Sequence, residues 1–295
     1  MDIHLPGSLD PAEIGFSNPD GQPPIGALLV AAGKLEPQSV ERILRLQTKS
    51  GARFGELAIK LRLARQADVA QALARQFGYP CYRHGADQHS AELVAALYPN
   101  SGQVEALRAL RTQLLLRWFT AERKMLAILS AGRGEGRSYL AANLALLFAQ
   151  MGRRTLLVDA DLRSPRQDKL FKSAERRGLS DLLAQRVGLE VIVRLSAFGD
   201  LTLLPAGTVP PNPQELLCRP VFSLLLRHLS RSFDVILFDT PACKKQADAE
   251  TIGALAGGAL ILARKDASRM TDVHDLQRRL QRADTTIAGA VLNHF

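Results

Sequence analysis

The chain has 295 residues, 46% of them hydrophobic, and 38 Lys+Arg against 29 Asp+Glu give it a formal charge of +9. That length can bury one sizeable core and a small second one. No run of about 18 apolar residues occurs, and the opening M-D-I-H-L-P lacks a basic region followed by an apolar run, so neither a membrane span nor a secretory leader is predicted and the expected location is the cytoplasm.

Residues 1–22 are rich in Pro, Gly, Ser and Asp with little apolar periodicity, which predicts a mobile tail. An internal repeat then runs through a predicted helical domain over 23–85. The stretch I25-G-A-L-L-V, Val40, Leu44, Gln47 aligns with F54-G-E-L-A-I, Val69, Leu73, Gln76 at an offset of 29 residues. Each copy reads as helix, turn, helix, so the pair would share one small core. Residues 86–103 read as a linker with one short helix around Ala91–Leu97. Val104–Trp118 is an amphipathic helix carrying Glu105, Arg108 and Arg111, and steps of three residues put neighbouring members within reach of a local ion pair.

The most informative stretch runs from Met125 to Asp161. A short apolar run, M-L-A-I-L-S, meets the glycine-rich A-G-R-G-E-G-R-S and then a helical run to Met151, the order of a strand, a phosphate-cradling turn and a helix. Gly134 and Gly136 allow backbone N–H groups to approach phosphate closely, and the following helix N-terminus adds partial positive charge. Ser138 stands where a hydroxyl would hold Mg²⁺. Arg137 stands where the P-loop pattern has lysine, and Ala131 where it has glycine; arginine keeps the charge and can grip phosphate bidentately, but it is longer and planar. Two more apolar runs end in carboxylates. Thr155–Val158 leads into Asp159-Ala160-Asp161-Leu162-Arg163, and Val235–Phe238 into Asp239-Thr240-Pro241. Ligands of a parallel sheet sit beyond the carboxyl ends of its strands, so all three features are expected to meet. There one carboxylate can serve Mg²⁺ and another can orient or deprotonate an attacking group.

Onward, Leu201–Leu204 is a predicted strand, Pro220–Ser230 a helix, Gln246–Leu255 a helix, Ala259–Ala263 a strand, Met270–Arg282 a helix and Thr286–Leu292 a strand. This alternation predicts an α/β fold, a doubly wound, mostly parallel sheet. Cys81, Cys218 and Cys243 are odd in number and scattered, which predicts reduced thiols, and the six histidines show no metal-ligand spacing.

At the glycine loop, the apolar-D-A-D-L-R segment and the apolar-D-T-P segment, the chain resembles the Walker A, A′ and B motifs of the bacterial tyrosine kinases, P-loop proteins of exopolysaccharide and capsule export. Leu204-Pro205-Ala206-Gly207 with Pro210-Pro211-Asn212-Pro213-Gln214-Glu215-Leu216-Leu217 is similar to that family's L-P-A-G-x-x-P-P-N-P-x-E-L-L segment. Relatives of the MinD and ParA type carry a signature lysine where this chain has Gly132. The chain also resembles chain-length-determinant kinases of the EpsG type, in which Arg137 belongs to the usual G-R-G-E-G-R-S. The resemblance implies a MinD/ParA-like P-loop NTPase domain over 104–295, with ATP and Mg²⁺ as cofactors. It implies a nucleotide site of Gly132, Arg133, Gly134, Glu135, Gly136, Arg137, Ser138 and Tyr139, with Asn293 at an adenine-contacting position, or simply in a turn after a strand. Catalytic roles would fall to Asp159, Asp161 and Arg137, and metal binding to Ser138, Asp239 and Asp161. E-x-x-R-x-x-R at Glu105, Arg108 and Arg111 resembles the motif by which these kinases form rings; the bland alternative is a solvated helix face. The 23–85 repeat resembles the N-terminal domain of type II secretion and pilus ATPases, which implies a docking domain for a partner, with cyclic di-GMP as an alternative ligand through Arg53-Phe54-Gly55.

The resemblance thus implies an ATP-dependent protein tyrosine kinase that regulates exopolysaccharide chain length. It would act with a membrane chain-length determinant, or co-polymerase, and sit at the inner membrane through it. Kinases of this family commonly end in a tyrosine cluster. Here the tyrosines are Tyr79, Tyr82, Tyr98 and Tyr139, so the expected acceptor is another protein or one of these four. A non-catalytic ATP switch in the same assembly stays open, and so does a ParA/MinD-type partition ATPase. Residues 1–100 are charge-balanced and the whole excess lies beyond them, which suits phosphates, acidic partners, an anionic leaflet or non-specific DNA. No aromatic interleaving points to sequence-specific nucleic acid.

Overall fold

The computed structural model describes residues 23–66, 68, 69, 72, 73, 90–244 and 247–294. The chain divides into two compact units, residues 1–81 and 82–295. The tail expected over 1–22, the end of the second repeat with Gln76, Tyr79, Cys81 and Tyr82, the first part of the expected linker, and Gln246 lie outside the described residues.

In the first unit, helices α1 (Ile25–Ala31), α2 (Pro37–Ser50) and α3 (Phe54–Lys60) enclose one small core. Pro37 at the first helical position starts α2, and Gly51 at φ +67° ends it. The repeat is visible atom by atom. Buried Leu29, Leu35 and Ile43 have Ala58, Ala64 and Ala72 as buried counterparts one repeat on. A Cβ on Gly26 would lie 3.0 Å from Val40 and 3.1 Å from Phe54, while one on Gly55 would lie 2.7 Å from Val69 with Ile25 at 4.0 Å. Ile25 and Phe54 are themselves repeat mates, so α1 and α3 meet about a local twofold. The turns also correspond: Gly33 sits at φ +66° and Arg62 at φ +56°.

The second unit runs α4 (Val94–Leu97), α5 (Gly102–Arg117), β1 (Met125–Ser130), α6 (Arg137–Ala149), β2 (Thr155–Asp159), α7 (Gln167–Leu170), α8 (Leu179–Leu183), β3 (Val193–Arg194), β4 (Leu201–Leu204), α9 (Pro213–Leu217), α10 (Pro220–Ser232), β5 (Val235–Asp239), α11 (Asp248–Ala256), β6 (Gly258–Arg264), α12 (Met270–Arg282) and β7 (Thr286–Asn293). The strands form one sheet in the order β3-β4-β2-β5-β1-β6-β7, parallel throughout except for β3 against β4. Alternate side chains feed two cores. Leu126, Ile128, Leu157, Leu237 and Leu260 face one side, and Ala127, Leu129, Val158, Phe238 and Ile261 the other. Helix α6 is buried on nearly every face from Leu140 to Ala149, as expected of the apolar helix behind a nucleotide loop. Among the described residues no helix is long and apolar enough to cross a membrane.

One stretch differs from its sequence reading. The described part of the expected 86–103 linker packs onto the second unit, with Leu93 and Ala95 fully buried. Buried Asn143 in α6 accepts from the Ala95 N–H (2.9 Å) and donates to Glu92 O (2.8 Å), and the Ser90 N–H donates to Leu170 O at 3.2 Å. These bonds come from residues about 50 to 80 positions away, where no local pattern could announce them.

Candidate functional site

The register of the sheet brings the motif ends together. Asp159 on β2 pairs directly with Asp239 on β5, and β1 beside them ends at Ser130, where the glycine loop begins. Gly134 at φ +72° and Gly136 at φ +97° take the left-handed conformations that turn the loop into α6, which starts at Arg137. Glu135, 4% exposed, braces this loop from within. Its Oε2 accepts the Gly132 N–H at 3.0 Å, and its Oε1 accepts the Ser268 hydroxyl. Arg264 donates to Gly134 O at 3.3 Å and Asn293 Nδ2 to Glu135 O at 3.2 Å. Asn293 thus stands beside the loop and serves its backbone.

Arg137 is nearly buried. Its Nε donates to Thr240 O at 2.8 Å, and its Nη1 to Gly132 O at 2.6 Å and to the Ser130 hydroxyl. The planar fork therefore joins the start of the loop to the exit of β5, a span that a single ammonium would not match. Its Nη2 has no hydrogen bond to a described residue. Arg133 lies at the surface and donates to Ser164 Oγ at 3.0 Å.

The three carboxylates differ in their surroundings. Asp159 is fully buried and accepts the Arg166 and Gln167 N–H groups at 2.9 Å and the Asp161 N–H at 3.3 Å. Burial, with the neighbouring Asp239 charge, holds its pKa well above the usual carboxylate range. Burial also pushes Asp239 up to about 6, although hydrogen bonds from Ser138 and Gln167 and the Arg137 charge pull the other way. Asp239 Oδ2 takes Gln167 Nε2 at 2.8 Å, whereas Oδ1 is buried without a well-formed hydrogen bond to any described residue. Asp161 accepts the Arg163 and Ser164 N–H groups at 3.2 and 2.9 Å, and Arg163 grips buried Asp248 bidentately at 2.7 and 3.3 Å.

A bound Mg²⁺ fits this donor set. The candidate donors are the Ser138 hydroxyl and carboxylate oxygens, all hard, and the orphaned Oδ1 of Asp239 is a ready position for a cation or its water. Among the described residues no group of three His, Cys, Asp or Glu forms a ready-made cage. Mg²⁺ ordinarily takes only one or two carboxylates and completes its shell with phosphate and water.

The remaining candidates lie apart from this cluster. Tyr139 follows Ser138, but its hydroxyl is buried without a described partner, and burial with the Glu92 charge pushes its pKa to about 12. On α5, Arg108 pairs with Glu105 at 3.0 Å, while Arg111 turns inward to Leu147 O at 3.2 Å, so the three do not form one solvated row. The L-P-A-G segment interlocks with α8. Leu179 and Ser180 N–H groups donate to Pro205 O and Ala206 O at 2.8 and 2.9 Å, and Asp181 accepts from Gly178 and Thr208 N–H groups. A Cβ on Gly178 would lie 2.0 Å from Pro205 O. Gln167, which touches both buried carboxylates, belongs to no motif; its only sequence signal is a polar residue closely following the Asp159-Asp161 pair.

Residues 126–295 match the family model described as the CobQ/CobB/MinD/ParA nucleotide binding domain. The chain is 34% identical over 195 residues to tyrosine-protein kinase Etk of Escherichia coli K12, covering 66% of this chain and 27% of Etk. It is 32% identical over 201 residues to tyrosine-protein kinase YwqD of Bacillus subtilis 168, covering 68% of this chain and 85% of YwqD. The solved kinase domain of Etk superimposes with a TM-score of 0.66 at 33% identity, over 72% of this chain and 84% of that domain. The chain spans 27% to 29% of the length of the first curated relatives it matches. By this family match and these similarities in sequence and fold, the chain belongs to the bacterial tyrosine-protein kinase family, built on the MinD/ParA type of P-loop nucleotide-binding fold.

Proposed function

We propose that the chain is an Mg-ATP-dependent protein tyrosine kinase that regulates exopolysaccharide polymerisation or export. The observation that carries this reading is the Asp159–Asp239 register pair beside the loop, with Asp239 Oδ1 buried and without a well-formed hydrogen bond to any described residue. Arg137 Nη2 and the loop N–H groups would hold the β and γ phosphates, and Ser138 and Asp239 the cation, with Asp161 supporting its shell. Asp159, whose raised pKa suits a proton acceptor, would orient or deprotonate the attacking tyrosine hydroxyl. When bound, Mg²⁺ would supply charge neutralisation on the phosphates; phosphoryl transfer otherwise needs mainly positioning.

The Tyr139 hydroxyl is too enclosed to serve as an acceptor, which leaves another protein, or Tyr79, Tyr82 or the exposed Tyr98 of this chain, as the target. The names of Etk and YwqD as tyrosine kinases support the activity. A membrane chain-length determinant, peripheral placement at the inner membrane and ring assembly through Glu105, Arg108 and Arg111 follow from the same family reading. The first unit is assigned to docking. A second reading, a non-catalytic nucleotide switch, draws on Arg137, whose guanidinium already ties Thr240 O to Gly132 O.

The test is tyrosine phosphorylation of the cytoplasmic segments of a candidate co-polymerase with labelled Mg-ATP. The expected result is phosphotyrosine that disappears in Asp159→Asn and Asp239→Asn while both variants keep their fold. Full transfer by both variants would sink these roles, and nucleotide binding without transfer would favour the switch.

A further inference from the structure

The side chain that ties the motif ends together lies in none of the motifs. Gln167 opens α7 and is fully buried. Its backbone N–H donates to Asp159 Oδ2 at 2.9 Å. Its Nε2 donates twice, to Ser138 O at 3.0 Å and to Asp239 Oδ2 at 2.8 Å. One residue thus contacts the start of α6, the end of β2 and the end of β5. The amide orientation follows from its partners: turned over, Oε1 would face a carbonyl and a carboxylate oxygen and both contacts would become repulsive.

With Nε2 so committed, Oε1 is buried and without a hydrogen bond to any described residue, the same condition as Asp239 Oδ1. An unbonded buried acceptor costs about 1–3 kcal/mol. Here two such oxygens sit on residues that are hydrogen-bonded to each other. The Nε2 bond to Oδ2 also decides which oxygen of Asp239 stays free.

We propose that Gln167 is a positioning residue for the divalent cation: its Nε2 holds Asp239 with Oδ1 presented to the cation, and its Oε1 accepts a hydrogen bond from a cation-bound water. The inference rests on the Mg-nucleotide reading of the site. Partners that orient metal ligands typically change metal affinity by about 10-fold to 100-fold when removed. A role confined to anchoring α7 would leave metal affinity untouched as long as the fold survives.

The experiment is Mn²⁺ binding, followed by electron paramagnetic resonance on the full chain with a non-hydrolysable ATP analogue, paired with analogue affinity measured in excess chelator. Gln167→Met keeps the side-chain length without the amide; Gln167→Asn keeps an amide too short to span both partners. Thermal unfolding establishes that each is folded, and either folded variant suffices. The expected result is Mn²⁺ binding weaker by about 10-fold or more, with metal-free analogue affinity within about twofold of the parent. Unchanged Mn²⁺ affinity would overturn the proposal, as would an equal loss of metal-free nucleotide affinity. Failure of the unsubstituted chain to bind the analogue, with or without Mn²⁺, would bring down the nucleotide reading itself and this inference with it.

Discussion

Asp239 and Asp159 face each other across β5 and β2, both fully buried, and the charge of one raises the pKa of the other. In the metal-free protein this pair opposes folding, because two carboxylates out of water repel and lose hydration. Asp239→Asn is therefore expected to stabilise the metal-free protein at pH 8 by about 2 kcal/mol, seen as a raised Tm. Adding Mg²⁺ to the ATP-bound protein should raise the Tm of the parent further and leave that of the variant unchanged. A lowered metal-free Tm in Asp239→Asn would show that the pair is not in tension. These two aspartates, Ser138 and Arg137 were legible in the sequence because each closes an apolar run or follows a glycine turn, and a parallel sheet aligns such ends. Gln167 and the bracing role of Glu135 were not. Gln167 reaches Asp239 only after the chain bends at residues 162–164, and Glu135 reads as a spacer until its carboxylate is seen to hold Gly132 and Ser268.

Among the elements, the 29-residue repeat was legible down to its turns, because glycine and valine recur where two helices approach most closely. Its second turn is imperfect: Arg62 takes the left-handed conformation that its counterpart Gly33 adopts freely. Arg62→Gly should stabilise the first unit by about 1 kcal/mol, since a non-glycine residue there is strained by about 1–2 kcal/mol and glycine returns part of that as unfolded-chain entropy. Gly55→Ala should destabilise it by about 1–3 kcal/mol through overpacking on Val69. Denaturant midpoints of the two variants should move in opposite directions. Elements held by distant partners were less legible. The packed segment at 90–97 depends on Asn143, and the L-P-A-G segment on Asp181. Burial alone would raise the Asp181 pKa, but hydrogen bonds from Thr208 and Gly178 outweigh it and leave it below the usual range. Its contribution is thus present above the unfolded value near ~3.9 and is lost as pH falls through the lower folded value. Exchange protection at the Thr208 amide should persist at pH 5 and fade only in strong acid; loss of protection already at pH 5 would contradict this.

For the molecule as a whole, the mostly parallel sheet and the alternating helices were predictable from apolar runs and breaks, whereas the strand order was not, and β3 and the short helices α7 to α9 were too brief to register. The positive charge of the second unit is less available than composition suggests. Arg154, Arg163, Arg166, Arg177, Arg194, Lys244 and Arg279 all stand in ion pairs with carboxylates of the same chain. Binding to arbitrary DNA should be weak at about 0.15 M salt and indifferent to ATP, because the cations of this unit come singly or in pairs along the sequence, with no basic run to follow a phosphate backbone. ATP-dependent retention on DNA at that salt would favour a partition role. Whether the three strand ends form one Mg-nucleotide site is decided by calorimetric titration of the full chain with ATP, with and without Mg²⁺. One ATP per chain is expected, with Mg²⁺-dependent affinity, the metal dependence lost in Asp239→Asn and binding itself weakened in Arg137→Ala. Binding that ignores Mg²⁺ and survives both substitutions unchanged would contradict such a site.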